Sequence, residues 1–218
     1  MGNLLFKDIR VAFRNPKGWI ISIIFFVLFL SMFAIAQNND QNILNKTASS
    51  VIWLGLIFSM IIMFESIFDR DLGNGQFDQI ILAGVSPHEI VISKIIAGYI
   101  FSAVPLIITI PVAALFFQLP MAESAAIMIS ILIGAPAIIA YCVTAAALLA
   151  GQGGKGFVMS LIVLPFLVPV LIFALAGIEA YPEQGIWNTG FQAVSGISII
   201  ALTLGIPASA SALITKMD

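Results

Sequence analysis

The sequence predicts an all-α membrane protein with six transmembrane helices. Only 9% of its 218 residues are charged and 61% are hydrophobic, whereas a soluble domain carries about 25% charged residues. Six charge-free stretches of 18 to 32 residues divide the chain, and about 20 apolar residues are enough to cross the hydrocarbon core of a bilayer. This composition excludes a soluble enzyme, and a net charge of −2 offers no basic surface for nucleic acid.

The six stretches are predicted to be helices because they are apolar on every side. The strands of a transmembrane barrel would instead alternate between apolar and polar residues over about 10 positions. We expect a single transmembrane domain over residues 1–218, with little mass outside the membrane. The predicted spans are 19–36, 47–66, 95–117, 125–149, 157–178 and 192–214.

The positions of Lys and Arg predict how the helices are oriented. Eight of the nine fall in the N-terminal segment, the loops after spans 2 and 4, and the C-terminal tail, and only Lys46 lies on the other side. Cytoplasmic loops carry the excess of Lys and Arg. We therefore expect both termini in the cytoplasm and the protein in a bacterial inner membrane; a mitochondrial inner membrane fits the same pattern.

Residues 1–17 predict an amphipathic helix lying in the membrane interface. Apolar residues recur there at helical spacing, with the cations on the other side. Such a helix directs its cations toward lipid phosphates, so membrane lipids are expected contacts. A positive flank that only sets the topology is the alternative. The apolar positions are Leu5, Phe6, Ile9 and Phe13, and the cations are Lys7, Arg10 and Arg14.

The largest segment predicted outside the membrane is 67–94, which follows span 2. Gly73 and Gly75 break the helix that leaves the membrane. Residues 76–82 can then form a short helix, which Gly84 would end as the first residue beyond its C-cap.

Ser86, Pro87 and Glu89 predict the start of the next helix. A serine followed three residues later by glutamate is a capping box, and proline is favoured at the first helical position. The chain is therefore expected to leave the membrane, form a short transverse helix, turn and re-enter.

Phe77, Ile80 and Ile81 fall on one side of the predicted short helix. An exposed apolar side on a cytoplasmic helix requires a partner. The alternative is a solvated loop that only joins two spans.

A few residues near or within the spans are candidates for chemical sites. Glu65 ends the second charge-free stretch, so it is either functional or a headgroup-level carboxylate paired with Arg70. His88 is the only histidine, so a set of haem or metal ligands is not expected. Cys142 is the only cysteine and lies within a charge-free stretch, so it is expected to be a buried packing residue and not a reactive thiol. The chain has no P-loop, so the energy for any transport is expected to come from another subunit.

Residue stretches from the N-terminal helix to the fifth span carry a family resemblance. They are Arg10-Val11-Ala12-Phe13-Arg14, Val51-Ile52-Trp53-Leu54, Glu65-x-x-Phe68-x-x-Asp71-x-x-x-Gly75-x-x-x-Gln79, Ser86-Pro87, Lys94, Pro105-Leu106, Gly134-Ala135-Pro136 and the apolar, proline-containing stretch 161–173. In its interfacial N-terminal helix, its six spans and its short helix after span 2, the chain resembles exporter-type ABC permeases. In the stretches above it resembles more closely the haem exporter protein B (CcmB) family. The stretch 161–173 is the most specific of them.

The resemblance implies a permease subunit that pairs with a separate ATP-binding subunit, CcmA, and works with CcmC and CcmD. ATP hydrolysis would then release the haem-loaded chaperone CcmE for cytochrome c maturation. The chain would be non-catalytic and bind no cofactor, with ATP and haem held by its partners. An ABC permease that exports a lipid, drug or polysaccharide is the alternative, and a membrane scaffold is a third.

The same resemblance, together with the pattern of the short helix, implies which residues couple the chain to the ATPase. The family positions are Glu65, Phe68, Asp71, Gly75 and Gln79. Phe77, Ile80 and Ile81 are added as the apolar contacts of the short helix.

Overall fold

The computed structural model describes residues 2–14, 16–38, 40–65, 67–68, 76–151 and 155–215. Its helices are α1 (Gly2–Arg14), α2 (Lys17–Ala36), α3 (Gln41–Phe64), α4 (Gln76–Leu82), α5 (Pro87–Gly98), α6 (Val104–Phe117), α7 (Met121–Leu148), α8 (Lys155–Gln184) and α9 (Thr189–Ile214). A π-helical turn, Tyr99–Ala103, joins α5 to α6, and a 3-10 turn, Gly185–Trp187, precedes α9. Among the described residues, six segments are long and apolar enough to cross a membrane, which confirms the predicted number of spans.

All six spans are longer than the sequence predicts, and the third and the fifth are extended most. The third begins at Pro87 instead of residue 95, and the fifth continues as α8 to Gln184, six residues beyond 178. The charged residues at these ends mark where the apolar surface stops. They do not end a helix, since helical hydrogen bonding also persists in water.

α7 is the central helix of the bundle. It packs against α9, α8 and α3, and 67% of its most apolar segment is buried, compared with 22% for the first span. Small residues let neighbouring backbones approach closely in a membrane. The buried small residues of α7 are Ala126, Ser130, Gly134, Ala135, Ala137, Ala140, Ala145, Ala146 and Ala147.

Trp53 fixes the packing of α3 on α7. Its side chain is fully buried, and its indole N–H donates to Ser130 Oγ at 3.0 Å. The Ser130 hydroxyl in turn donates to the Ile127 carbonyl at 2.8 Å. Gly134 provides the space for the indole, because a Cβ there would lie 2.6 Å from Trp53 Cη2. The polar atom of the largest buried side chain is therefore satisfied inside the apolar core.

The π-helical turn accommodates Pro105 in the third span. Proline has no N–H, and in an α-helix its ring clashes with the carbonyl four residues earlier. The Val104 N–H donates to the carbonyl of Tyr99, five residues back. The extra residue in this turn shifts the backbone where the proline ring needs space.

Asn188 closes the turn between α8 and α9. It is buried, and its Nδ2 donates to the carbonyls of Gly177 at 3.0 Å and Gly185 at 2.8 Å. Its Oδ1 accepts from the Phe191 N–H at 2.9 Å. A Cβ at Gly190 would collide with the backbone of Gly177, so the two helices touch at the backbone itself.

The bundle has two ends. We call the end that carries α1, α4, the turn 149–151 and Thr215 the terminal face. The opposite end, which carries the turns 37–38, 118–120 and 185–188, is the distal face.

Candidate functional site at the terminal face

α4 ends in a defined turn at Gly84, as the sequence predicts. Gly84 has a φ of +84°, which glycine adopts without the cost other residues incur. The Gly84 N–H donates to the Ile81 carbonyl at 2.8 Å and the Val85 N–H to the Ile80 carbonyl at 3.3 Å. This pair of bonds is a Schellman motif, and it confirms the predicted end of the short helix.

α5 begins in the predicted capping box. The Ser86 side chain accepts from the Glu89 N–H at 3.3 Å, and the Ser86 N–H donates to Glu89 Oε2 at 3.1 Å. Pro87 occupies the first helical position. Because the Schellman motif and the capping box follow each other directly, the turn between α4 and α5 is hydrogen-bonded on both sides.

The side chains of α4 divide between the bundle and the outside. Ile80, Ile81 and Val85 are half-buried against the core of the chain itself, whereas Gln79 is exposed and Leu82 is 87% exposed. Leu82 is thus an outward apolar side chain that the apolar pattern of the helix does not predict. Its position next to Ile80 and Ile81 at the end of the helix is the one sequence signal that points to it.

Phe68 anchors the chain just after α3. Only 1% of its surface is exposed, and its neighbour Ile67 is half-buried against the same core. Phe68 therefore supports the segment from inside. Asp71, Gly75 and the side chain of Phe77 lie outside the part of the chain that the structure describes, so their coupling roles stay predictions.

Glu65 lies beside the start of α8. A Cβ added to Gly156 would be 2.8 Å from Glu65 Oε1 and 2.9 Å from Oε2, so the carboxylate packs on the Gly156 backbone. A carboxylate is stabilised at this end of a helix by the N-terminal partial positive charge. The alternative partner, Arg70, falls outside the described residues. Glu65 thus brings the end of α3 to the start of α8.

A buried ion pair joins α1 to α5 at the same face. Asp8 is 7% exposed; its Oδ1 accepts from Lys94 Nζ at 3.2 Å and its Oδ2 from the Ser93 hydroxyl at 2.6 Å. Ser93 is fully buried. The sequence does not predict this site, because its two parts are 85 and 86 residues apart and no local pattern connects them.

α1 exposes part of the apolar surface predicted for it. Leu4 is buried against the bundle together with Asp8, but Phe6 and Phe13 remain 61% and 66% exposed. The Arg10 guanidinium lies 4.8 Å from the centre of the Phe6 ring. Exposed aromatic rings beside cations suit a helix at a lipid interface. The helix therefore has a protein side and a separate aromatic side, instead of one apolar face.

A family model described as CcmB protein matches residues 1–216 of this chain. The chain belongs to the CcmB protein family. The match spans every element described above, including α1, α4 and all six spans.

Curated bacterial relatives of this CcmB-family chain are named heme exporter protein B. The protein of Bradyrhizobium diazoefficiens is 27% identical over 99% of this chain and 97% of its own length. That of Pseudomonas aeruginosa is 28% identical over 92% of this chain and 90% of its own. That of Rhodobacter capsulatus is 28% identical over 98% of both chains. The alignments cover nearly the whole length of each protein.

The described residues of this CcmB-family chain contain no group of three His, Cys, Asp or Glu side chains arranged to hold a metal ion. His88 is exposed in the first turn of α5, and Cys142 is a fully buried free thiol within α7. The polar groups at the terminal face instead hold helices together.

Proposed function

We propose that this chain is the membrane subunit of an ABC-type complex that handles haem in cytochrome c maturation. In this proposal it couples ATP hydrolysis on a separate CcmA-type subunit to release of the haem-loaded chaperone CcmE, with CcmC and CcmD as further partners. Membership of the CcmB family and the name of its relatives support the haem assignment. The chain itself binds neither ATP nor haem and is not an enzyme.

The observation that carries the proposal is the two-sided geometry of α4. Leu82 is directed away from the bundle, while Ile80 and Ile81 pack against it. A partner that binds the outer side of α4 therefore pushes on a helix already seated on the core. The hydrogen-bonded turn at 83–86 then passes that push to α5.

The same proposal assigns the terminal face to the cytoplasm of a bacterium, where an ATP-binding subunit would meet α4. Eight of the nine Lys and Arg residues belong to the terminal-face side of the sequence, as the positive-inside rule requires. Glu65 and Phe68 would be supports behind the contact surface, and Gln79 would be part of the surface itself.

Leu82→Asp tests the docking surface and changes no residue that packs against the core. Replacing Ile80 or Ile81 would also damage the packing of the chain, so it is a poorer test. A well-seated apolar contact contributes about 2 kcal/mol, so we expect roughly a thirtyfold weaker association with CcmA, measured by co-purification and titration. Met121→Asp is the matched control, because Met121 is 90% exposed at the distal face. Equal association of the two variants would contradict the docking role.

The haem role is tested by the ATPase rate of the complex with and without haem-loaded chaperone. We expect the loaded chaperone to stimulate hydrolysis and to be released by it. A rate indifferent to the chaperone, in a complex that still assembles through α4, would refute the maturation role. It would favour export of a lipid, drug or polysaccharide by the same architecture.

A further inference from the structure

We propose that Asp8 is a positioning residue that locks α1 to α5, so that α1, α4 and α5 move as one body and bend against α6 at the π-helical turn. This inference rests on the proposed function and extends it, because it makes the N-terminal helix part of the element that receives the push of the ATPase.

The first joint of this body is the contact between α1 and α5. Asp8 uses both carboxylate oxygens, one toward Lys94 Nζ and one toward the Ser93 hydroxyl. Ser93 is fully buried and Asp8 nearly so. A carboxylate that stays buried without its partners is costly, so α1 cannot slide along α5 and leave Asp8 buried but unpaired.

The second joint is the turn between α4 and α5. Gly84 and Val85 donate back to α4, and Ser86 exchanges two bonds with Glu89 in α5. Val85 also packs on the core beside Ile80. From Leu82 to Asp8 every connection is thus a helix, a hydrogen-bonded turn or a buried ion pair.

The body ends at the π-helical turn. Phe13, near the end of α1, contacts Phe101 edge-on with ring centres 4.9 Å apart, so α1 follows α5 as far as this turn. Pro105 lies just beyond and lacks an N–H. π turns and prolines are where helices bend. A push on α4 is therefore expected to rotate the three helices about residues 99–103.

Spin-label distances in the isolated chain test the lock itself. In a Cys142→Ala background, labels at Val11→Cys and Ala83→Cys report the distance from α1 to α4, since both positions are exposed. Asp8→Asn is expected to broaden this distance distribution. The control Glu183→Gln, an exposed acid at the distal face, should leave it narrow. An unchanged distribution in Asp8→Asn overturns the proposal, whether or not an ATPase binds.

A double variant with two neutral side chains controls for disruption by an unpaired buried charge. Asp8→Asn combined with Lys94→Gln removes the ion pair but leaves no unpaired buried charge, so the distribution should stay as broad as in Asp8→Asn alone, with the helical content unchanged. A return to the narrow distribution would show that the unpaired Lys94 charge, and not the loss of the ion pair, separates the two helices, and it would overturn the lock.

The complex with its ATP-binding subunit tests the movement. Between the nucleotide-free and ATP-bound states, the Ala83–Met121 distance should change while the Val11–Ala83 distance stays constant. Equal changes in both pairs, or a change in neither, overturn the one-body movement. A complex that fails to assemble refutes the proposed function instead, and the result on the isolated chain is unaffected by it.

Discussion

Gly134→Ala and Trp53→Phe form a double-mutant cycle on the contact between α3 and α7. In the native background the new Cβ would lie 2.6 Å from Trp53 Cη2 and 3.2 Å from Val194 Cγ1. Trp53 is fully buried, so its ring cannot swing away. Overpacking of this kind costs about 1–3 kcal/mol, and replacing a helical glycine by alanine recovers about 1 kcal/mol. We expect a net loss of about 1 kcal/mol.

The same alanine should have the opposite effect once the indole is gone. Trp53→Phe removes the hydrogen bond to Ser130 and leaves a void, at a cost of about 2 kcal/mol in all. The phenyl ring does not reach the position of Cη2, so a Cβ at Gly134 then fills part of the void. Gly134→Ala should therefore stabilise the Trp53→Phe variant by about 1 kcal/mol, giving a coupling energy of about 2 kcal/mol.

The assay is unfolding of the purified chain in mild detergent by titration with a denaturing detergent, followed by circular dichroism. Gly196→Ala is the control, because nothing lies within 4 Å of a Cβ at that site; its effect should be the same in both backgrounds. If Gly134→Ala changes the stability of both backgrounds equally to within about 0.5 kcal/mol, the packing argument for Trp53 is wrong.

Two further predictions use the same glycine control. Gly190→Ala would drive its Cβ into the backbone of Gly177, which cannot rotate aside, so we expect a loss of about 3 kcal/mol or more in the same unfolding assay; a cost below 1 kcal/mol, measured against Gly196→Ala, would show that α8 and α9 part easily. Gly156→Ala would instead displace the carboxylate of Glu65, a flexible group, so its stability should stay within about 0.5 kcal/mol of Gly196→Ala. The stimulation of ATP hydrolysis by the loaded chaperone should nevertheless fall, and a fully stimulated Gly156→Ala complex would remove Glu65 from the coupling path.

Features with short-range signals could be predicted from the sequence. The capping box depends on Ser86 and Glu89, three residues apart, and the end of α4 on a single glycine, Gly84. The six spans follow from hydropathy, which is a sum over neighbours and needs no tertiary information. These elements are stabilised by groups within one or two helical turns, so the local sequence contains their cause.

The contacts between distant segments could not be predicted in this way. Asp8 is buried because Ser93 and Lys94 face it, and Glu65 lies at Gly156 because α3 and α8 end side by side. A glycine contact leaves no charge or hydropathy pattern to recognise. The apolar side of α4 was recognised, but which residues turn inward depends on the rotation of the helix against the bundle. That rotation is set by tertiary packing.

The closed turn between α8 and α9 has a consequence for how the protein is made. In the proposed orientation, with the terminal face in the cytoplasm, the distal-face turn must pass through the bilayer during synthesis, where each unpaired backbone group costs several kcal/mol. The Asn188 side chain by itself pairs with the carbonyls of Gly177 in α8 and Gly185 in the turn and with the Phe191 N–H in α9, and the contact of Gly177 with Gly190 needs no other helix. We therefore expect the last two spans to enter the membrane together as a folded hairpin. This hairpin should be stable in the bilayer before the rest of the bundle assembles around α7.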